Sequence, residues 1–82
     1  MTVSFLRPTP FVQYAEFFNS GRRFIAYTDD HEEIEFVVID PQKFIINFNG
    51  VMCIFDPISW IIITDISVLC QIDEIIPSNM AY

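Results

Sequence analysis

The chain has 82 residues, one domain near the lower limit of what folds unaided. With 52% hydrophobic residues, 16% aromatics and only two glycines, disorder is excluded, and so short a chain must either pack a dense core or rest apolar surface on another chain. The net charge of −7 sets eleven acids against four bases (Arg7, Arg22, Arg23, Lys43), none beyond residue 43, which argues against direct nucleic-acid binding through phosphates and against an anionic membrane surface.

Residues 1–11 hold Arg7, Pro8 and Pro10 and no long apolar run, so no signal peptide is expected. The expectation is a cytoplasmic protein in which Cys53 and Cys70 are free, buried thiols. Residues 58–63 form an apolar run too short to cross a membrane, and Asp65 ends it.

Residues 1–9 read as an N-terminal arm. Thr9-Pro10 reads as a helix start, with threonine as cap and proline at the first helical position. Phe11, Tyr14, Ala15 and Phe18 recur at helical spacing and Gly21 is a good stop, so a short helix is expected over residues 10–20. Strand patterning then fills residues 23–72. A first strand over 23–28 ends in the acidic turn Asp29-Asp30-His31-Glu32-Glu33. A second over 34–39 stops at Asp40-Pro41. A third over 43–48 meets Asn49-Gly50, the strongest short hairpin signal, and a fourth over 51–55 stops at Asp56-Pro57. From Ile58 to Ile72 apolar residues alternate with period two, giving one long bent strand or two strands hinged near Thr64-Asp65. Residues 77–82 read as a loose tail, and no internal repeat is apparent.

The fold class expected from this order is α+β but mostly β: one domain, 1–82, with a short N-terminal helix and about five antiparallel strands forming a small curled sheet or half-open barrel. In order and size the elements resemble Sm-like and other SH3-like small barrels, which also place a helix before a bent five-stranded sheet. The resemblance covers the pattern of elements and implies architecture, not function.

Catalytic chemistry has little to stand on. The single histidine, His31, sits among four acids in a turn, where adjacent side chains rarely converge on a metal, so a solvated charged loop is the expectation. Cys53 and Cys70 are not spaced as C-x-x-C. No glycine-rich phosphate loop is present, and no cofactor or enzymatic activity is expected. Arg22-Arg23, placed after the expected helix, would complement its negative end.

Binding to another protein is the remaining expectation. A partner with a basic surface, such as the nucleic-acid groove of a larger protein, suits Asp29, Asp30, Glu32, Glu33 and Glu35, with Phe17 as an aromatic anchor off the main helical stripe. A small, acidic, motif-free chain of this kind resembles, as a class, inhibitors from phages and mobile elements such as anti-CRISPR proteins. Antitoxin and immunity proteins fit the same description. The second apolar strand face, including Ile61, Ile63 and Leu69, points to a homo-oligomer, most simply a dimer, and allows the alternative of a structural or assembly subunit.

Overall fold

A computed structural model describes residues 3–78. Seven strands form one antiparallel sheet: β1 (Phe5–Leu6), β2 (Arg23–Thr28), β3 (Glu33–Asp40), β4 (Ile45–Phe48), β5 (Val51–Asp56), β6 (Ile61–Ile63) and β7 (Val68–Ser78). The order is β1-β7-β2-β3-β4-β5-β6, and β6 also pairs with β7, so β2 to β7 close into a six-strand barrel. Closure depends on the length of β7. Its first half pairs with β6 (Ile61↔Gln71, Ile62↔Cys70) and its second half with β2 (Ala26↔Ile75, Arg23↔Ser78). Beyond the end of β6, β1 occupies the same edge of β7 (Phe5↔Ile75, Leu6↔Glu74).

Closure explains the alternating pattern. Phe24, Ala26, Phe36, Val38, Ile46, Phe55, Ile62, Ile72 and Ile75 are buried in the core, and their strand neighbours face outward. The Asn49-Gly50 hairpin forms as its sequence requires, with Phe48↔Val51 flanking two residues at φ 54° and 83°. Asn47 Oδ1 accepts from the Gly50 amide at 3.0 Å. Thr64 provides the hinge between β6 and β7: its amide donates to Ser67 O and its hydroxyl oxygen accepts from the amides of Ile66 and Ser67.

The expected helix over 10–20 does not form. Two 3-10 turns, Phe11–Gln13 and Ala15–Phe17, replace it, separated by Tyr14 at φ −121°. Thr9 turns its hydroxyl back to Leu6 O instead of capping forward. Three residues per turn put Phe11, Tyr14 and Phe17 on one edge, and aromatic packing decides for this tighter winding. Phe11 meets Phe44 at 4.8 Å between centroids, Tyr14 meets Trp60 at 5.7 Å, and Phe18 meets Phe44 at 5.4 Å. The segment is an aromatic plug in one end of the barrel. Without a helix, Arg22 has no helix end to complement, and its guanidinium lies 5.7 Å from the Phe17 ring centre.

Two of those plug partners sit on the same device used twice. Asp40-Pro41-Gln42-Lys43-Phe44-Ile45-Ile46 and Asp56-Pro57-Ile58-Ser59-Trp60-Ile61-Ile62 share the pattern Asp-Pro-x-x-aromatic-Ile-Ile, so a short repeat exists after all. In both, aspartate Oδ1 accepts from the amides two and three residues on, at 3.0 and 3.4 Å from Asp40 and 2.9 and 3.4 Å from Asp56. These bonds, the Ile58 amide first, hold the Asp56 carboxyl below its usual pKa. Both aromatics adopt φ 58°. The carbonyl of each accepts from the following strand, Phe55 N to Phe44 O at 3.0 Å and Ile72 N to Trp60 O at 2.8 Å. Asp56→Ala removes the acceptor and is expected to lower folding free energy by about 1–2 kcal/mol, read as a lower urea midpoint at unchanged slope.

Four further expectations need correction. Among the described residues the strand count is seven, not about five, and the barrel is closed, not half-open, because β7 is long enough to serve both neighbours. The arm at 1–9 contains β1. The sheet does not end at 72: Pro77 and Ser78 belong to β7, with Pro77 opposite Phe24 near the strand end, where a missing N–H is tolerated. Residues 79–82 of the expected tail lie outside the described residues.

Candidate functional site: a two-faced barrel wall

In the closed order β7-β2-β3-β4-β5-β6, β2 lies opposite β5. The walls centred on these two strands differ in chemistry.

The β2 wall is acidic. One outward row runs Glu74–Tyr27–Glu33 across β7, β2 and β3, and the next runs Ile76–Ile25–Glu35. Tyr27 donates to Glu33 Oε1 at 3.2 Å. The Glu33 carboxylate, with burial and then Glu74 contributing less, raises the Tyr27 pKa above its ordinary value. The β2–β3 turn extends this surface with Asp29, Asp30 and Glu32, all exposed. Thr28 fixes the turn: its amide donates to Glu32 O at 2.9 Å, its carbonyl accepts from His31 N at 3.0 Å, and its hydroxyl oxygen accepts from Glu32 N at 3.1 Å. Among the described residues no ion pair reaches these acids; Arg7 pairs with Asp73 instead.

The structure therefore brings Asp29, Asp30, Glu32, Glu33 and Glu35 together, and adds Glu74 and Tyr27, which the sequence reading missed. The strand expected from the sequence ends at residue 72, short of Glu74, and only the β2–β7 register puts Glu74 beside Tyr27. Phe17 does not join them. It is half-buried in the plug, 5.6 Å from Phe5, at the end of the barrel away from the β2–β3 turn.

The β5 wall is aliphatic. Ile45, Ile54, Ile63 and Val68 are successive register partners across β4, β5, β6 and β7. Ile39, left unpaired by a bulge beside Ile45, extends the stripe, and Met52 lies next to it on β5. A shallow concavity of about 340 Å³ is lined by Ile45, Met52, Ile54, Ile63, Thr64 and Asp65. Of the three expected interface residues, Ile63 is in this stripe, Leu69 is exposed at the bulge between Ile62 and Ile63 and β7, and Ile61 is half-buried opposite Asp56 and Gln71.

The remaining chemical groups are held quiet. Cys53 is buried and Cys70 half-buried, both as free thiols. Burial raises the pKa of both, and for Cys70 the charges of Asp29 and Glu32 act in the same direction. The thiolates that redox or metal chemistry requires are thereby disfavoured. Among the described residues no group of three or more His, Cys, Asp or Glu side chains converges as a metal site, and no helix is long and apolar enough to cross a membrane.

Comparison with protein families, curated proteins and solved structures finds no match for this chain.

Proposed function

We propose that the protein is a non-enzymatic binding protein, a small acidic inhibitor or modulator that docks its β2 wall on the basic surface of a larger protein. The observation that carries this reading is the Glu74–Tyr27–Glu33 row with Glu35 and the β2–β3 turn beside it. Its carboxylates stand on strands and a hydrogen-bonded turn rather than on a loose tail, so they meet a partner at little further entropic cost. A rigid acidic surface steers a basic partner into encounter and excludes acidic ones. A surface that normally holds nucleic acid is the natural target, because it already presents cations spaced for phosphates.

The test uses immobilised protein in lysate from its native cells, with bound proteins identified by mass spectrometry. The expected capture is a basic protein that added nucleic acid displaces. It is expected to fall more than tenfold with Glu33→Lys/Glu35→Lys/Glu74→Lys, and to weaken steeply with salt. Capture that is indifferent to this charge reversal would remove the reading.

A further inference from the structure

We infer that the β5 wall is the contact surface for a second copy of this chain, forming a two-fold symmetric dimer joined back to back. The stripe Ile39–Ile45–Ile54–Ile63–Val68 crosses five successive strands of the barrel, and no element of the described chain covers it. In a solvated antiparallel wall these outward positions alternate toward polar residues. Here Ile39, Met52, Ile54, Val68 and Leu69 are each between 41% and 61% exposed. Together with half-buried Ile45 and Ile63 they offer roughly 500 Å² of exposed, mostly apolar surface per chain, a size suited to the apolar core of a standard interface of ~800 Å² per partner.

Three features select a second copy as the occupant. The stripe residues themselves bear no charge; the charges beside them are Asp65, exposed on the lining of the concavity, and Asp40, opposite Ile45 on β3. The wall offers both a ridge of isoleucine side chains and the concavity beside it, and two aliphatic sheet faces crossing at a small angle interdigitate in this way. Charge then decides the arrangement. Each chain carries −7, so copies repel in most orientations. Joining the β5 walls places the acidic β2 walls on the two far sides, where like charges are best separated. The dimer would present two identical acidic faces pointing away from each other. The inference stands on a different wall from the proposed function and survives or fails without it.

Sedimentation equilibrium over a concentration series tests it. The expected mass is twice the 9.6 kDa of the chain. Ile54→Lys, at an exposed outward position, is expected to give a 9.6 kDa monomer with an unchanged circular dichroism spectrum. Glu33→Lys/Glu35→Lys is expected to leave the dimer intact, which separates this contact from the partner surface. Should Ile54→Lys fail to fold, methyl spectra of the wild-type protein on dilution decide: the Ile45, Ile54 and Ile63 signals move if the inference holds. A wild-type monomer at about 100 µM chain, where a standard interface is populated, would overturn it and leave the wall to a different protein. So would a dimer that Ile54→Lys does not disturb, or dilution shifts confined to other residues.

Discussion

Trp60→Ala is expected to lower folding free energy by about 3–5 kcal/mol, a large fraction of the ~5–15 kcal/mol that holds a domain together. Trp60 is fully buried and ties the plug to the wall, with Tyr14 and Phe55 both 5.7 Å away between ring centres. Removing the indole opens a cavity at the meeting point of the plug, β5 and the start of β6, and these cannot collapse together without breaking the turn at Asp56. The backbone adds a sharper expectation. Trp60 sits at φ 58°, where any residue with a Cβ pays roughly 1–2 kcal/mol. Glycine escapes that penalty. At an ordinary strand position glycine is worse than alanine by about 0.5–1 kcal/mol. Here the order should reverse, with Trp60→Gly less damaging than Trp60→Ala. Phe44, at the equivalent turn and the same φ but only half-buried, is expected to show the same reversal at a smaller total loss. Urea midpoints of the four variants at one protein concentration measure it. Alanine better than glycine at both positions would show that the turn relaxes once its ring is gone.

The same residues show what the sequence made legible. Alternation of apolar and polar positions is a local property that puts Phe36 and Val38 on one face of their strand, but which face is core is decided by the barrel, which turns Phe36, Val38 and Ile46 inward. Asn49-Gly50 carries its own turn geometry and needed no tertiary context. Barrel closure was not legible, because it depends on β7 reaching two neighbours at once, and no local pattern encodes a pairing between Ile62 and Cys70. The helix over 10–20 failed for a related reason. Its spacing fits 3.6 residues per turn, but so short a helix is marginal on its own, and the choice falls to rings elsewhere in the chain, Phe44 and Trp60. The repeated Asp-Pro-x-x-aromatic turn was readable in principle. Each Asp-Pro looked like an ordinary strand break, and only the shared positive φ and the shared carbonyl bonds reveal one device used twice. For the site, the acids of the β2–β3 turn were legible as a run, but their joining with Glu74 and Tyr27 is a consequence of register. Phe17 was misplaced because an off-stripe aromatic on a helix is exposed, whereas on a 3-10 turn it falls in line with Phe11 and Tyr14.

Tyr14 provides the second large effect, and it appears only in alkali. Its hydroxyl and the Trp60 indole N–H are both fully buried, and neither has an aligned hydrogen-bond partner among the described residues. Burial first, and then the Asp56 carboxylate, raise the Tyr14 pKa to about 12, while the nearby Trp60 N–H acts weakly in the opposite direction. The folded protein thus holds the proton more tightly than the unfolded chain, whose tyrosine ionises near its ordinary value of 10.0. Below that value both states are protonated and stability is unaffected. Above it the unfolded state gains by ionising, and stability falls until the folded pKa is passed. Two pKa units correspond to roughly 3 kcal/mol lost between about pH 10 and pH 12. Tyr14→Phe keeps the ring against Trp60, Phe11 and Phe18 and deletes the ionisable, unpartnered hydroxyl. At neutral pH it is expected to be neutral or to stabilise by about 1 kcal/mol, because a buried hydroxyl without a partner is itself unfavourable. Across the alkaline range the variant is expected to retain the share of stability that ionisation of Tyr14 costs the wild type. The difference between the two proteins isolates Tyr14, since Tyr27 and the two thiols, whose pKa values are also raised, are present in both. Urea melts at a series of pH values, with tyrosinate absorbance followed in parallel, measure the difference. Parallel stability curves for the two proteins from neutral to strongly alkaline pH would mean that the hydroxyl reaches solvent or a bound water, and that this end of the barrel is not sealed as the plug's packing implies.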